Sequence, residues 1–416
     1  MVESTGSIPE KGSSWEDVRE ALIRAGRDDV DWRNARTAVY VFNPGEDVIR
    51  VAKEAYALYQ SENGVGMSAF PSIREMELDV VSSGLRLLNA PDEAVGDMTS
   101  GGTESIILAV KACRDQAKAH GRNVQGARIV APRSAHPAFD KAAVYLGLEV
   151  VRVPVAKDFT ADVAAMDAAI DDKTIMLVGS APCFPYGIFD SIPELGKLAE
   201  SHDLWLHVDA CVGGYFAPFA RMNGVEFPDF DFAVPGVRSM SADLHKYGYA
   251  AKGASTIFHR NETQRNFQSF IFDNWPAGGM STPTVAGTRP GGAFASAWAV
   301  MHYLGVEGYR EKAKRVTDTR EKLMAAINEI DGLHTYGDPK LGLFAYGAER
   351  ADIFAIWGEL NSKGWFTGVT TEPKGIQLML SPAHAEVADE YIRDLTEALD
   401  RVTGTGPVVE NAPSYN

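Results

Sequence analysis

The sequence predicts an α/β protein, with a large domain built on a mostly parallel sheet carrying helices on both faces and a small α+β domain at the C-terminus. Three observations predict it. Between about residues 97 and 260, short runs rich in β-branched and aromatic residues alternate with amphipathic stretches, as a parallel sheet with crossover helices requires. Residues 293–330 then keep a helical pattern long enough to lead out of the large domain. Beyond them, strand-like and helix-like runs intermix to the C-terminus.

Taken in order, the opening fifteen or so residues, rich in Ser, Gly, Glu and Lys, read as a flexible lead-in. Residues 46–60 and 72–90 space their apolar positions at three and four, as amphipathic helices do. The runs "ARIVAP", "EVVRVPV", "TIMLVGSA", "LWLHVDA" and "ASTIFHR" are bounded by Gly, Pro or Asp and read as strands. "TESIILAVKACRDQ", "FDKAAVYLGL" and "IPELGKLAESHD" read as helices between them. The long helix is expected to break near Gly305 or Gly308. "LGLFAYGAE", "DIFAIWGELNSKGW", "GIQLMLS" and the closing helix "EVADEYIRDLTEALDRV" build the small domain, and "GTGPVVENAPSYN" is a loose tail. The expected division is an N-terminal segment 1–60, a large domain 61–300 and a small domain 301–416; a chain of 416 residues is too long for one compact core.

A net charge of −16 argues against non-specific binding to nucleic acid, which needs basic surfaces. The three cysteines, Cys113, Cys183 and Cys211, lie far apart, which excludes a disulfide framework and the usual zinc spacings. The start of the chain has neither the basic nor the apolar segment of a signal peptide, and no run is long enough to span a bilayer. The expectation is a cytoplasmic protein without metal.

Four short stretches carry the chemistry: "TSGGTES" at 99–105, "SAHPAFDKA" at 134–142, "HVDACVGG" at 207–214 and "SADLHKYG" at 241–248. Each alone has an ordinary structural reading. A histidine–lysine pair is commonly a surface feature, Asp209 after a strand is a helix cap, His136 is a turn residue, and two glycines are a turn. Together they supply what one cofactor needs. Lys246 is a nucleophile for an aldehyde, expected to lose its proton more readily through desolvation. Asp209, at the carboxyl end of a buried strand, needs a cation, which the ring nitrogen of pyridoxal 5'-phosphate (PLP) supplies while acting as an electron sink. Small Ala210 and Cys211 leave room for the ring, and His136 covers its other face. Gly101, Gly102 and Thr103 open a helix whose bare N–H groups suit a phosphate. The stretch lacks the GKS/T and GxGxxG signatures of nucleotide sites.

These motifs, with "STPTVAGTRPGG" at 281–292, resemble those of the sphingosine-1-phosphate lyases, within the group II PLP-dependent decarboxylases of fold type I. The likeness runs from about Tyr40 to the C-terminus and is densest from 97 to 292. It implies that Lys246 condenses with the cofactor, that Asp209 pairs with the ring nitrogen and that His136 stacks. It implies Gly102, Thr103 and His245 as phosphate contacts, with Gly101, Cys211, Ser241, Thr288 and Gly291 beside the cofactor. Tyr40, Lys252 and Thr288 match positions that surround a substrate phosphate. A homodimer with a shared site is implied, the 281–292 segment coming from the partner subunit. The chain departs from the pattern at Gly66, where relatives carry a histidine, at Ala181, where they carry threonine, and at Cys183, where they tend to carry glutamine.

The resemblance implies carbon–carbon cleavage of a phosphorylated 2-amino alcohol to an aldehyde and phosphoethanolamine. Two rivals share the motifs: an amino-acid decarboxylase, favoured by the loss of the histidine at 66, and a non-catalytic PLP-binding scaffold, disfavoured by intact Lys246, Asp209 and His136.

Overall fold

The structure is a computed structural model that describes residues 6–404. The expected tail lies almost wholly outside the described residues, as do the first five residues of the expected lead-in. Helix α1 (Trp15–Ala25), to which the sequence reading assigns no element beyond the lead-in, is capped by the Ser14 side chain accepting from the Asp17 N–H. Helices α2 (Glu46–Leu58) and α3 (Pro71–Leu87) come next, as expected.

The large sheet comprises β1 (Val95–Thr99), β2 (Arg128–Pro132), β3 (Glu149–Val153), β4 (Thr174–Ser180), β5 (Trp205–Asp209), β6 (Val237–Ala242) and β7 (Ser255–His259). Their order is β1-β7-β6-β5-β4-β2-β3. β3, β2, β4, β5 and β6 are mutually parallel, whereas β7 runs antiparallel to both its neighbours, β1 and β6. Helices α4 (Gly102–Ala119), α5 (Ala138–Leu146), α6 (Val163–Ala168), α7 (Ile192–Ser201), α8 (Ala217–Met222) and α9 (Glu262–Asn266) connect or flank the strands.

Alternation along the strands explains the two layers. Ile129, Ala131, Met176, Val178 and Trp205 pack with Ile106 and Val110 of α4 and Phe139 of α5. Val130, Leu177, Leu206 and Val208, one residue out of phase, pack with Ile192 and Leu195 of α7 on the other face. β4 is buried along its whole length, as a central strand covered on both sides must be.

An exposed hairpin, β8 (Phe270–Phe272) with β9 (Met280–Thr282), precedes α10 (Gly291–Glu329). α10 crosses the 300/301 boundary and breaks at Gly305, with φ 55° and ψ −174°, a conformation open essentially to glycine alone. Before the break, Trp298 and His302 both bond to Asp79 of α3, and Tyr303 bonds to Asp47 of α2. After it, Arg315 donates to the Pro382 carbonyl and Asn328 holds Thr335. The second half thus belongs to the small unit, an antiparallel sheet β10-β11-β13-β12 covered by α11 (Ile353–Ser362) and α12 (Ala388–Gly404). Its strands are β10 (Leu333–Thr335), β11 (Leu343–Ala348), β12 (Gly368–Thr371) and β13 (Lys374–Met379).

Candidate active site

The parallel strands deliver their carboxyl ends to one edge of the large sheet, where ligands of such folds collect. There the described residues enclose a cavity of about 390 Å³, lined among others by Gly101, Gly102, Thr103, His136, Asp209, Cys211, His245 and Lys246. Eight residues singled out in four separate motifs thus meet in one space.

One side is the start of α4. Gly101 precedes it, and no side chain caps the helix, so its first N–H groups face the cavity without a protein partner. A Cβ on Gly102 would stand 2.6 Å from the Cys211 sulfur and 3.0 Å from Asp243 Oδ2, so glycine is required by the close approach. Glu104 Oε2 accepts from the N–H and hydroxyl of Ser100, and Glu104 Oε1 accepts from the N–H groups of Val285 and Ala286. With four donors on it, this carboxylate ties the cradle to the segment that leads to Thr288.

At the floor, Asp209 ends β5 with Oδ1 accepting from the Cys211 N–H at 3.0 Å and the Ser241 hydroxyl at 3.2 Å. Ser241 does not line the cavity. It belongs to a buried chain beneath it, in which the Trp205 indole donates to Ser239 Oγ, and His207 bridges Ser239 Oγ at 2.7 Å and Ser241 Oγ at 3.2 Å. Burial pushes His207 down to about 4, so a neutral imidazole holds the serine that holds Asp209.

On the opposite wall, His136 Nδ1 accepts from the Ala138 N–H at 3.1 Å, which leaves Nε2 as the protonated nitrogen. Burial keeps this ring below the ordinary imidazole value, against the pull of Asp209. Its turn is clamped by Arg152, which donates to the carbonyls of Pro132, Arg133 and Ala135.

Lys246 Nζ lies 3.1 Å from Asp243 Oδ2. Here the structure corrects the expectation that desolvation frees the lysine of its proton. Burial does push that way, but the carboxylate of Asp243, reinforced by Cys211 and Asp209, outweighs it and raises the lysine above its usual value. Asp243 mirrors this: burial works to raise it, and Lys246 and His245 hold it below the usual carboxylate range. His245, pushed down to about 4 by burial against the pull of Asp243, keeps a buried Nδ1 without a partner.

That unpartnered nitrogen, the uncapped helix start and the close approach at Gly102 together fit PLP: Gly101, Gly102, Thr103 and His245 would hold its phosphate, and His136 and Asp209 would hold its ring.

Four expected site residues lie elsewhere in the single chain. Lys252 lines an adjoining cleft together with His245, and its Nζ donates to the Tyr40 carbonyl at 2.9 Å and the His245 carbonyl at 3.4 Å, while the Tyr40 side chain does not line that cleft. Tyr40 holds a left-handed backbone, φ 64°, rare for a residue with a Cβ. Thr288 is exposed. Gly291 does not face the cavity, because it opens α10 against the end of α2, where a Cβ would lie 2.6 Å from the Glu62 carbonyl oxygen and 2.8 Å from that of Tyr59; within one chain it is a packing glycine.

The cavity also uses residues that the sequence reading does not assign. Asp243 enters that reading only as a neighbour of the lysine; its i,i+3 spacing to Lys246 is the available signal. Phe184, edge-on to His136 at 6.3 Å between ring centres, lies just past the carboxyl end of β4, a position as telling as that of Asp209.

Residues 5–348 match the pyridoxal-dependent decarboxylase conserved domain. The chain belongs to that family. It is a PLP-dependent lyase, and within the family it groups with the sphingosine-1-phosphate lyases. The enzyme of that name from Arabidopsis thaliana is 39% identical over 420 residues, covering 99% of this chain and 77% of the relative. The solved sphingosine-1-phosphate lyase of Burkholderia pseudomallei superposes with a TM-score of 0.92 at 34% identity, covering 96% of this chain and 93% of the other. An L-aspartate decarboxylase from Thermococcus kodakarensis is 31% identical, covering 95% of this chain and all of the relative.

Proposed function

We propose that the lyase cleaves sphingosine-1-phosphate or a close phosphorylated 2-amino alcohol into an aldehyde and phosphoethanolamine. The observation that carries this reading is the wall shared at His245 by the cofactor cavity and the Lys252 cleft, which sets a second lysine beside the space that holds Lys246. PLP bound in the cavity supplies an aldehyde for the substrate amine and an electron-poor ring that accepts the electrons of the breaking bond.

The residues divide the remaining work. Asp209 meets the ring nitrogen and keeps it positive, with Ser241 and His207 fixing the carboxylate from below. His136 covers the ring, and Gly101, Gly102, Thr103 and His245 hold the cofactor phosphate. Lys252, Tyr40 and Thr288 hold the substrate phosphate, which orients the bond between the amine carbon and the hydroxyl carbon for cleavage. That bond breaks as the hydroxyl loses its proton and becomes the aldehyde carbonyl; a proton returns to the amine carbon, and Lys246 is placed to deliver it.

A homodimer accompanies this reading. Ile271 is 72% exposed and Phe270, Phe272, Trp275 and Val285 are also uncovered, an apolar patch of the kind that marks interfaces, on the segment that ends at Thr288. Sedimentation of wild type against Ile271→Asp tests it, the variant running as a monomer. A cytoplasmic setting rests on three cysteines that are free and buried. No helix among the described residues is long and apolar enough to cross a membrane.

Gly66 favours a second reading, decarboxylation of an amino acid. Incubation with dihydrosphingosine phosphate and with a panel of amino acids separates the two: aldehyde without carbon dioxide is expected, and carbon dioxide without aldehyde overturns the lyase assignment.

A further inference from the structure

A second groove, of about 530 Å³, opens beside the cofactor cavity between the two sheets. On the large-sheet side it is walled by Pro154, Val155, Phe184 and Tyr186, and on the small-sheet side by Val369, Thr370 and Thr371 of β12 and Gln377 of β13. His136 and Phe184 line both spaces. At its mouth Arg133 and Glu372 pair at 2.7 Å, and the Tyr186 hydroxyl donates to the Glu372 carbonyl. The charged pair sits at the rim; behind it Pro154, Val155, Phe184 and Val369 present carbon, while the Gln377 amide donates to the Phe184 carbonyl and the Thr370 hydroxyl to the Pro373 carbonyl.

The position of this groove relative to Lys252 decides what it can take. The Lys252 cleft adjoins the cavity at His245, just past β6, whereas the groove adjoins it at His136, just past β2. In the sheet order β6-β5-β4-β2 these are three strand spacings apart, about 14 Å. A 2-amino alcohol phosphate held by its amine carbon between them carries its phosphate on one neighbouring carbon and its hydroxyl and hydrocarbon tail on the other. With the phosphate at Lys252, the tail leaves in the opposite direction, past Phe184.

We infer that the groove between Phe184 and Val369 is the subsite for the hydrocarbon tail, so that the small sheet sets chain-length specificity. This rests on the phosphorylated amino-alcohol reading above. Each methylene seated on such walls strengthens binding up to about fourfold, and Val369 on its edge strand is the residue where bulk is added with least disturbance of the core.

The test uses the holoenzyme and two phosphorylated 2-amino-3-hydroxy substrates, one with a butyl and one with a dodecyl tail, together with their unreactive 3-deoxy analogues for equilibrium binding. Wild type is expected to bind the long 3-deoxy analogue at least tenfold more tightly than the short one. Val369→Trp is expected to erase most of that difference while leaving binding of the short analogue and the visible absorbance of the bound cofactor unchanged. Equal affinities in wild type, or a preference untouched by both Val369→Trp and Val155→Trp, overturn the tail subsite. A wild type that binds by chain length yet releases no aldehyde overturns the lyase reading instead and leaves the groove standing.

Discussion

Lys246 Nζ and Asp243 Oδ2 face each other at 3.1 Å, and the carboxylate is itself pinned by the Ser255 hydroxyl at 2.5 Å. The lysine is therefore held charged and aimed until cofactor arrives. Lys246→Ala is expected to abolish both the visible absorbance of the reconstituted enzyme and all turnover. Asp243→Asn removes the partner that raises the lysine. A raised lysine stabilises the fold fully below its unfolded value, near 10.4, and loses that contribution as pH climbs through the folded value. Breaking the pair is expected to destabilise the apoprotein by about 3 kcal/mol at pH 7 and to shrink the stability lost above pH 10. Urea midpoints at the two pH values check this; equal midpoints for variant and wild type at pH 7 refute it.

At the cradle, Gly102→Ala forces a methyl group to within 2.6 Å of the Cys211 sulfur. The dissociation constant for PLP is expected to rise at least tenfold, with the fold retained by circular dichroism. Gly102→Ala/Cys211→Ala, which removes the sulfur but leaves Asp243 close, is expected to recover part of the loss. No recovery would place the obstruction elsewhere.

Much of this site is legible in the sequence because its chemistry sits in short contiguous motifs at strand ends, where spacing alone puts Asp209 and His136 on the same edge. Two strands of the large sheet are not legible. β1, "VGDMT", and β6, "VRSMSA", are polar by composition. Ser239 and Ser241 are nonetheless fully buried, because Trp205 and His207 on the neighbouring strand satisfy their hydroxyls. Hydropathy cannot register a polar residue whose partner arrives from a distant strand. The antiparallel sense of β7 is hidden for a related reason, since residue pattern marks a strand but not its direction. The motifs give Lys246 and Lys252 different roles, but only the fold shows one facing a carboxylate and the other two backbone carbonyls.

Gly66 offers a direct route to the phosphate question. A Cβ there meets nothing closer than Asn63 Oδ1 at 3.6 Å and Phe70 at 3.7 Å, ordinary contact distances, so Gly66→His is expected to fold as wild type does. If phosphate recognition is what the missing imidazole weakens, kcat/KM for dihydrosphingosine phosphate rises severalfold, with no change for an unphosphorylated amine. A fall for the phosphorylated substrate would show that the open space serves another purpose.

Acid stability is governed by buried imidazoles. Burial pushes His207, His245, His259 and His384 each down to about 4, against about 6.5 unfolded. As pH falls from about 6.5 towards 4 the unfolded chain binds protons that the fold refuses, so stability drops. Asp190 acts in the other direction: burial pushes it up to about 7, and the fold takes a proton that the unfolded carboxyl, near 3.9, does not. Glu77 and Asp231, also raised by burial, oppose the histidines in the same way, whereas His136, held down by burial, adds to them. The urea midpoint of the apoprotein is expected to be lower at pH 5 than at pH 7. His384→Gln, which removes an imidazole bonded to the Thr37 carbonyl, is expected to flatten the slope by about one proton.

The break at Gly305 has a consequence for how this scaffold can change. The second half of α10 leads into the small unit, which is also pinned from outside where Tyr186 bonds to Glu372, Tyr247 to Leu380 and His384 to Thr37, so one residue added to or deleted from the helix, a turn of about 100° and a slide of about 1.5 Å, sets the helix against those bonds. Either those bonds break and Val369 shifts from Phe184, or the helix itself buckles. Residues 306–329 therefore accept new side chains on their outer side but no change of length, and any lengthening that preserves catalysis must enter through the surface turns.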